Sequence, residues 1–101
     1  MPNSESPFIR KLKRLINSKI SEESLSIDAI CNDLNISRSQ LHRKIKQETG
    51  LSTTLYFRQL KLIKAKNLLE TTDNNISEIA YHVGISSPQN FSKYFAKEFG
   101  L

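Results

Sequence analysis

Two groups of polar side chains in this sequence have the types and spacing to hydrogen-bond a ligand: Ser39, His42 and Arg43, and then Gln89, Asn90 and Lys93. Residues three and four positions apart share one surface of a helix, so each group would present its side chains together. A guanidinium or a carboxamide can form two hydrogen bonds to one planar partner, such as the edge of a nucleic-acid base. The same residue types are also common on solvated helix surfaces, so the elements that hold them decide between the two roles.

The spacing of apolar residues predicts helices along the whole chain. Apolar positions recur every three or four residues, and no alternating pattern typical of strands is present. A first helix follows Pro7, a suitable first helical residue, and its other face is basic. Its apolar stripe is Phe8, Ile9, Leu12, Leu15, Ile16 and Ile20. We therefore predict an all-α fold.

Capping residues predict where four of the other five helices begin, and glycines predict where two of them end. A Ser or Asn side chain caps a helix N-terminus, a Gln or Glu three residues later completes a capping box, and Gly often follows the last turn. The predicted caps are Ser26, Ser37 with Gln40, Asn75 with Glu78, and Ser87 before Pro88, with Gly50 and Gly100 as stops. The long fourth helix, from about residue 53 to 70, has Leu55, Leu60, Ile63 and Leu68 among its apolar positions.

The second half of the chain repeats the first. Residues 30–37 align with residues 79–86 at an offset of 49, as Ile-Cys-x-x-Leu-Asn-Ile-Ser against Ile-Ala-x-x-Val-Gly-Ile-Ser. Beyond the turn the offset becomes 50, so that Arg43 matches Lys93. The second copy therefore has one extra residue between its helices, and the two groups of polar side chains occupy equivalent helices.

Each copy has the features of a helix-turn-helix unit. A small residue, Cys31 or Ala80, lets the second helix approach the first closely. Four residues later comes Asn35 or Gly84, the residue types best suited to a left-handed backbone in the turn. In such a unit the second helix protrudes and can enter a DNA major groove, whereas an ordinary helical hairpin packs for stability alone. Two aligned copies favour the helix-turn-helix interpretation.

Composition limits the class of protein. With 15 Lys and Arg against 10 Asp and Glu, the formal charge is +5, which favours a polyanionic partner. No apolar run reaches the ~20 residues of a membrane helix and no signal pattern precedes the helices, so we expect a cytoplasmic protein without membrane contact. The single cysteine and two distant histidines predict no disulfide and no metal site. No catalytic arrangement or cofactor motif is found, so an enzyme is the least favoured class.

Three segments have the pattern of one protein family: LNISRSQLHRKIKQETGLS (34–52), RQLKLIKAKNLL (58–69) and ISEIAYHVGISSPQNFSKYFAKEFG (76–100). Residues 25–101 thereby resemble the DNA-binding domain of the AraC/XylS family of bacterial transcription regulators. The third segment is the most specific, although Ile85 stands where the family commonly has Phe. The resemblance implies two helix-turn-helix subdomains joined by a long central helix, with two recognition helices in successive major-groove segments on one face of DNA.

The resemblance also assigns parts of the chain. It implies an N-terminal extension and first helix over 1–24, helix-turn-helix units over 25–52 and 72–101, and a linker helix over 53–71. The base contacts it implies are Ser39, His42, Arg43, Gln89, Asn90 and Lys93. Asn90 could instead cap Ser87. The phosphate contacts expected at helix N-termini and flanking positions are Ser37, Lys44, Lys46, Thr54, Asn75 and Ser87.

These observations predict sequence-specific binding of double-stranded DNA in transcriptional regulation, with RNA polymerase as a further candidate partner. The alternative is a basic helical module that docks on an acidic protein. Both depend on charge, and selectivity for one duplex over scrambled DNA separates them. We expect the chain to be either a minimal regulator or the output domain of a longer one, such as a hybrid two-component regulator, whose sensor or dimerisation domain lies elsewhere.

Overall fold

The computed structural model of the protein describes residues 5–20, 26–85 and 87–100, and this part of the chain contains six α-helices and no strand. The predicted all-α fold is confirmed. The predicted boundary between residues 24 and 25 lies outside the described residues. The helices are α1 (Pro7–Lys19), α2 (Ile27–Leu34), α3 (Arg38–Thr49), α4 (Thr53–Thr71), α5 (Ile76–His82) and α6 (Pro88–Phe99).

The helices α2, α3, α5 and α6 begin at the predicted capping residues, whereas Ser6 and Ser52, the caps of α1 and α4, were not predicted. Ser37 and Gln40 form a reciprocal capping box at α3, and Asn75 and Glu78 form another at α5. The Ser87 hydroxyl accepts the backbone N–H of Asn90, with Pro88 as the first helical residue of α6. Each such cap satisfies a backbone N–H that the helix leaves unpaired, which stabilises the helix start by about 1 kcal/mol.

Two hydrophobic cores lie along α4. The first contains buried residues of α1, α2 and α3 together with Tyr56 and Leu60 of α4. The second contains buried residues of α5 and α6 together with Leu62 and Ala65 of α4. At 100° per residue, the first pair of α4 residues and the second pair lie on roughly opposite faces of the helix. The two helix-turn-helix units therefore pack against opposite sides of one rigid helix.

This arrangement explains why two apolar positions of α4 are not buried. Leu55 is 48% exposed and Ile63 is 51% exposed. At 100° per residue, Leu55 points close to the direction of Leu62 and Ile63 close to that of Tyr56, but each lies on the half of α4 where the other core is packed. The sequence pattern had grouped them with Leu60 and Leu68 as one apolar set. A helix that changes its buried face halfway has no single apolar stripe, so periodicity alone does not identify its core positions.

The turns of the two units have the predicted left-handed backbone. Asn35 has φ 58° and Gly84 has φ 76°, which confirms both positions. Gly84 also lies against the end of α1, since a methyl group added to it would lie 2.6 Å from the carbonyl oxygen of Ile20. Ile20 is itself buried. The turn of the second unit thus contacts the first helix of the chain, and only a residue without a side chain fits there.

Substituting alanine for Gly84 tests this close approach. We expect Gly84→Ala to destabilise the fold by more than the ~1–2 kcal/mol that a left-handed backbone costs an alanine, because the new methyl group would collide with a backbone oxygen. Gly50→Ala is the matched control, since Gly50 has the same φ of 76° with nothing within 4 Å of the added carbon. Chemical denaturation of both variants measures the difference, and equal losses would contradict the contact.

Candidate nucleic-acid interface

The outer face of α3 consists of polar residues opposite its core positions. Leu41 and Ile45 are fully buried, and Ser39 and Arg43 are exposed on the other side of the helix. Within the described residues, the Arg43 guanidinium forms no ion pair. Its five N–H donors are therefore available to a ligand that approaches α3 from outside.

His42, Lys44 and Lys46 contact neighbouring parts of the protein. His42 Nδ1 lies 2.5 Å from the hydroxyl of Thr53, which is buried at the start of α4. Lys44 Nζ lies 5.1 Å from the centre of the Phe8 ring, and Lys46 donates to the carbonyl of Gly50 at 3.0 Å. His42 and Lys44 therefore flank the Arg43 face on opposite sides, toward α4 and α1. Both side chains remain exposed enough to meet a ligand as well.

The outer face of α6 is equivalent to that of α3. Phe91 is fully buried, and Gln89 and Lys93 are exposed opposite it. Lys93 forms no ion pair within the described part of the chain. The Asn90 side chain makes no hydrogen bond with another described residue, because the Ser87 cap is completed by the Asn90 backbone N–H. The carboxamide of Asn90 is therefore not occupied in capping.

The residues predicted to contact phosphate at helix starts lie at the N-termini of α3, α4, α5 and α6. Ser37, Asn75 and Ser87 are the N-cap residues of α3, α5 and α6, and Thr54 is exposed in the first turn of α4. Unpaired backbone N–H groups and the helix dipole make such positions favourable for anions. The other two predicted phosphate contacts, Lys44 and Lys46, lie on α3 itself.

Three side chains of α4 contact the second unit, two on α6 and one in the turn before it, and the sequence pattern had not identified them. Arg58 lies over the Tyr94 ring at 4.0 Å, Gln59 donates to Glu98 at 3.4 Å, and Lys61 Nζ lies 3.5 Å from the carbonyl of Gly84. Burial lowers the pKa of Lys61, and the charge of nearby Arg58 lowers it further. The composition of this segment could have drawn attention to these cations, because residues 53–69 contain four cations and no carboxylate.

The described residues do not have the features of a metal site, a reactive cysteine or a membrane-spanning helix. These residues contain no cluster of His, Cys, Asp and Glu that could hold a metal ion. Cys31 is a buried free thiol, and burial raises its pKa, which disfavours the reactive thiolate. No helix in ranges 5–20, 26–85 and 87–100 is long and apolar enough to cross a membrane.

Comparisons with known proteins identify the family. A family described as a helix-turn-helix domain matches residues 30–101. The transcriptional activator RhaS of Escherichia coli O157:H7 is 38% identical over 77 residues, which is 76% of this chain and 28% of RhaS. Histidine kinase P4 of Formosa agariphila is 35% identical over 92 residues, which is 91% of this chain and 7% of the kinase. The chain thus spans about a quarter or less of these relatives.

A solved structure agrees with this identification. A transcriptional regulator of Chromobacterium violaceum with an AraC-type DNA-binding domain has a TM-score of 0.85 with this chain, and it is 33% identical over 94% of this chain and 84% of its own. The chain belongs to the helix-turn-helix DNA-binding domains of the AraC/XylS family of transcription regulators. The predicted family and its DNA-binding role in transcription regulation are confirmed.

Replacing the equivalent cations Arg43 and Lys93 distinguishes base recognition from general attraction. If Arg43 contacts a base, Arg43→Ala should cost about 1–3 kcal/mol on the preferred duplex and relax selectivity at one position. Lys93→Ala should have a mixed effect, because an ammonium is less directional than a guanidinium. The two affected positions should lie roughly 10 base pairs apart. The measurement is a titration of each variant against all single-base changes in the duplex.

Arg14→Ala is the matched control, since Arg14 is an exposed arginine on α1. Its loss should be small and uniform across sequences. Uniform losses for Arg43→Ala and Lys93→Ala as well would leave DNA binding intact but contradict the assignment of these two residues to bases.

Proposed function

We propose that the domain binds an asymmetric site on double-stranded DNA as a monomer, with α3 and α6 in successive major-groove segments. The observation that supports this most strongly is the equivalence of the two outer faces. Arg43 and Lys93 lie at matching positions of two capped helices, and both helices are held by the same α4. Because the two faces differ in sequence, the DNA site does not need to be palindromic.

The proposed base contacts are Ser39, His42 and Arg43 from α3, and Gln89, Asn90 and Lys93 from α6. Arg43 suits guanine, and the carboxamides of Gln89 and Asn90 suit adenine. His42 uses its Nδ1 toward Thr53, so its contact with DNA would come from Nε2. The proposed phosphate contacts are Ser37, Lys44, Lys46, Thr54, Asn75 and Ser87. In this scheme base contacts give selectivity and phosphate contacts fix the register on the duplex.

We also propose the wider setting. The chain acts as the DNA-binding part of a cytoplasmic regulator that performs no reaction itself and recruits or blocks RNA polymerase. The likeness to part of an activator and to a small part of a histidine kinase supports an output domain whose signal comes from a separate sensor or dimerisation domain. The residue divisions proposed for this output domain are an extension over 1–24, units over 25–52 and 72–101, and a linker over 53–71.

Selection from random duplexes followed by footprinting tests the proposed binding mode. The selected duplex should show two protected major-groove segments about 34 Å, or one helical turn, apart at saturating protein. A single protected segment would contradict simultaneous binding by α3 and α6. A scrambled duplex of equal composition is the control. Equal affinity for both duplexes, together with tight binding of an acidic protein, would favour the protein-interaction alternative instead.

A further inference from the structure

A groove of about 360 Å³ separates the two units on the side where α4 and α6 begin. Hydroxyl, carboxamide and cationic side chains line it, among them Thr54, Arg58, Lys61, Ser87 and Asn90. Among the residues that the structure describes, no carboxylate lines the groove. The first turn of α4 and the first turn of α6 both contribute to its wall, so the N–H ends of two helices border the same space.

The two cations of this groove have no acidic partner within ranges 5–20, 26–85 and 87–100. Arg58 and Lys61 lie one helical turn apart on α4, and in the described part of the chain neither forms an ion pair. The Arg58 guanidinium lies over the Tyr94 ring, and the Lys61 ammonium lies beside the Gly84 carbonyl. Two neighbouring positive charges, both partly buried, repel each other unless an anion lies between or beside them.

The position of the groove indicates which anion it would bind. Ser87 and Asn90 belong to the first turn of α6, the same turn that presents Gln89 outward. DNA that meets the outer face of α6 therefore passes the mouth of the groove. Since α3 and α6 would occupy consecutive major-groove segments, the strand that connects these segments has to run between the two units.

We propose that Arg58 and Lys61 form a phosphate-binding site for the DNA backbone in the segment between the two major-groove contacts. This inference rests on the proposed function and adds a third region of contact, from the linker helix rather than from either recognition helix. Because Arg58 and Lys61 also contact Tyr94 and Gly84, a phosphate bound there would lie against the side chains that orient the second unit. Binding of this phosphate would thus couple the register of the domain on the DNA backbone to the position of α6.

Salt dependence of DNA binding gives the first test. In each of the variants Arg58→Gln and Lys61→Gln, the magnitude of the slope of log affinity against log salt should fall by about 0.9. The affinity for the duplex should fall roughly five- to tenfold at ~0.1 M salt. Lys66→Gln is the matched control, because Lys66 lies on another face of α4, over the Phe99 ring. Its slope should be unchanged. Equal slopes for all three variants would overturn the proposal.

A backbone modification locates the site. Single neutral methylphosphonates are placed at each position between the two protected segments of the selected duplex. At one or two positions the substitution should weaken binding of the unmodified protein but have no further effect on Arg58→Gln or Lys61→Gln. Full additive losses at every position would overturn the proposal. Failure of the proposed function gives a different result, since the unmodified protein would then bind the selected and the scrambled duplex equally.

Two controls distinguish the loss of a DNA-phosphate contact from a loss of folding and from the binding of another anion. Lys61→Arg should restore the slope, and Arg58→Gln, which removes no hydrogen bond, covers the case in which Lys61→Gln does not fold. Thermal unfolding identifies that case. Inorganic phosphate and a polyglutamate peptide are titrated separately against the protein. Saturable binding of either one that both substitutions abolish, without a change in the DNA salt slope, would assign the groove to a free anion or an acidic peptide and overturn a DNA-backbone site.

Discussion

The contribution of one helix to two hydrophobic cores constrains the rest of the structure. Tyr56 and Leu60 fix one face of α4 in the first core, and Leu62 and Ala65 fix nearly the opposite face in the second. A helix transmits orientation rigidly over this distance because each residue is held by the backbone hydrogen bonds of its neighbours. The separation and the relative rotation of α3 and α6 therefore depend on α4. In the proposed binding mode, their outer faces would therefore match DNA at one spacing only.

Local rules were sufficient to predict the starts of four helices and the backbone of the two turns. Capping boxes such as Ser37 with Gln40 depend on residues three positions apart, and the left-handed turn at Gly84 depends on a single residue type. These capping and turn preferences depend on residues within one helical turn, so they can be recognised from the sequence alone. The internal repeat then identified the two units, and the family resemblance that followed was confirmed.

Features that depend on contacts between residues far apart in the chain could not be predicted from the spacing of apolar and polar residues. The exposure of Leu55 and Ile63 follows from which faces of α4 the two units cover, and that is a property of the assembled fold. The contact of Ile20 with Gly84 joins residues from opposite ends of the chain. Likewise, Arg58 and Lys61 line one groove with Ser87 and Asn90 only when α6 packs against α4. The assignment of individual side chains to bases or phosphates stays a prediction.

The central claim is that α4 holds the two recognition helices at one fixed spacing. Inserting about 5 base pairs, half a helical turn, between the two contacted segments of the selected duplex tests it directly. A rigid connection predicts that affinity falls sharply and that only one segment remains protected from cleavage. Inserting about 10 base pairs should not restore binding, because the helix cannot lengthen. Full affinity with both segments still protected would contradict the account.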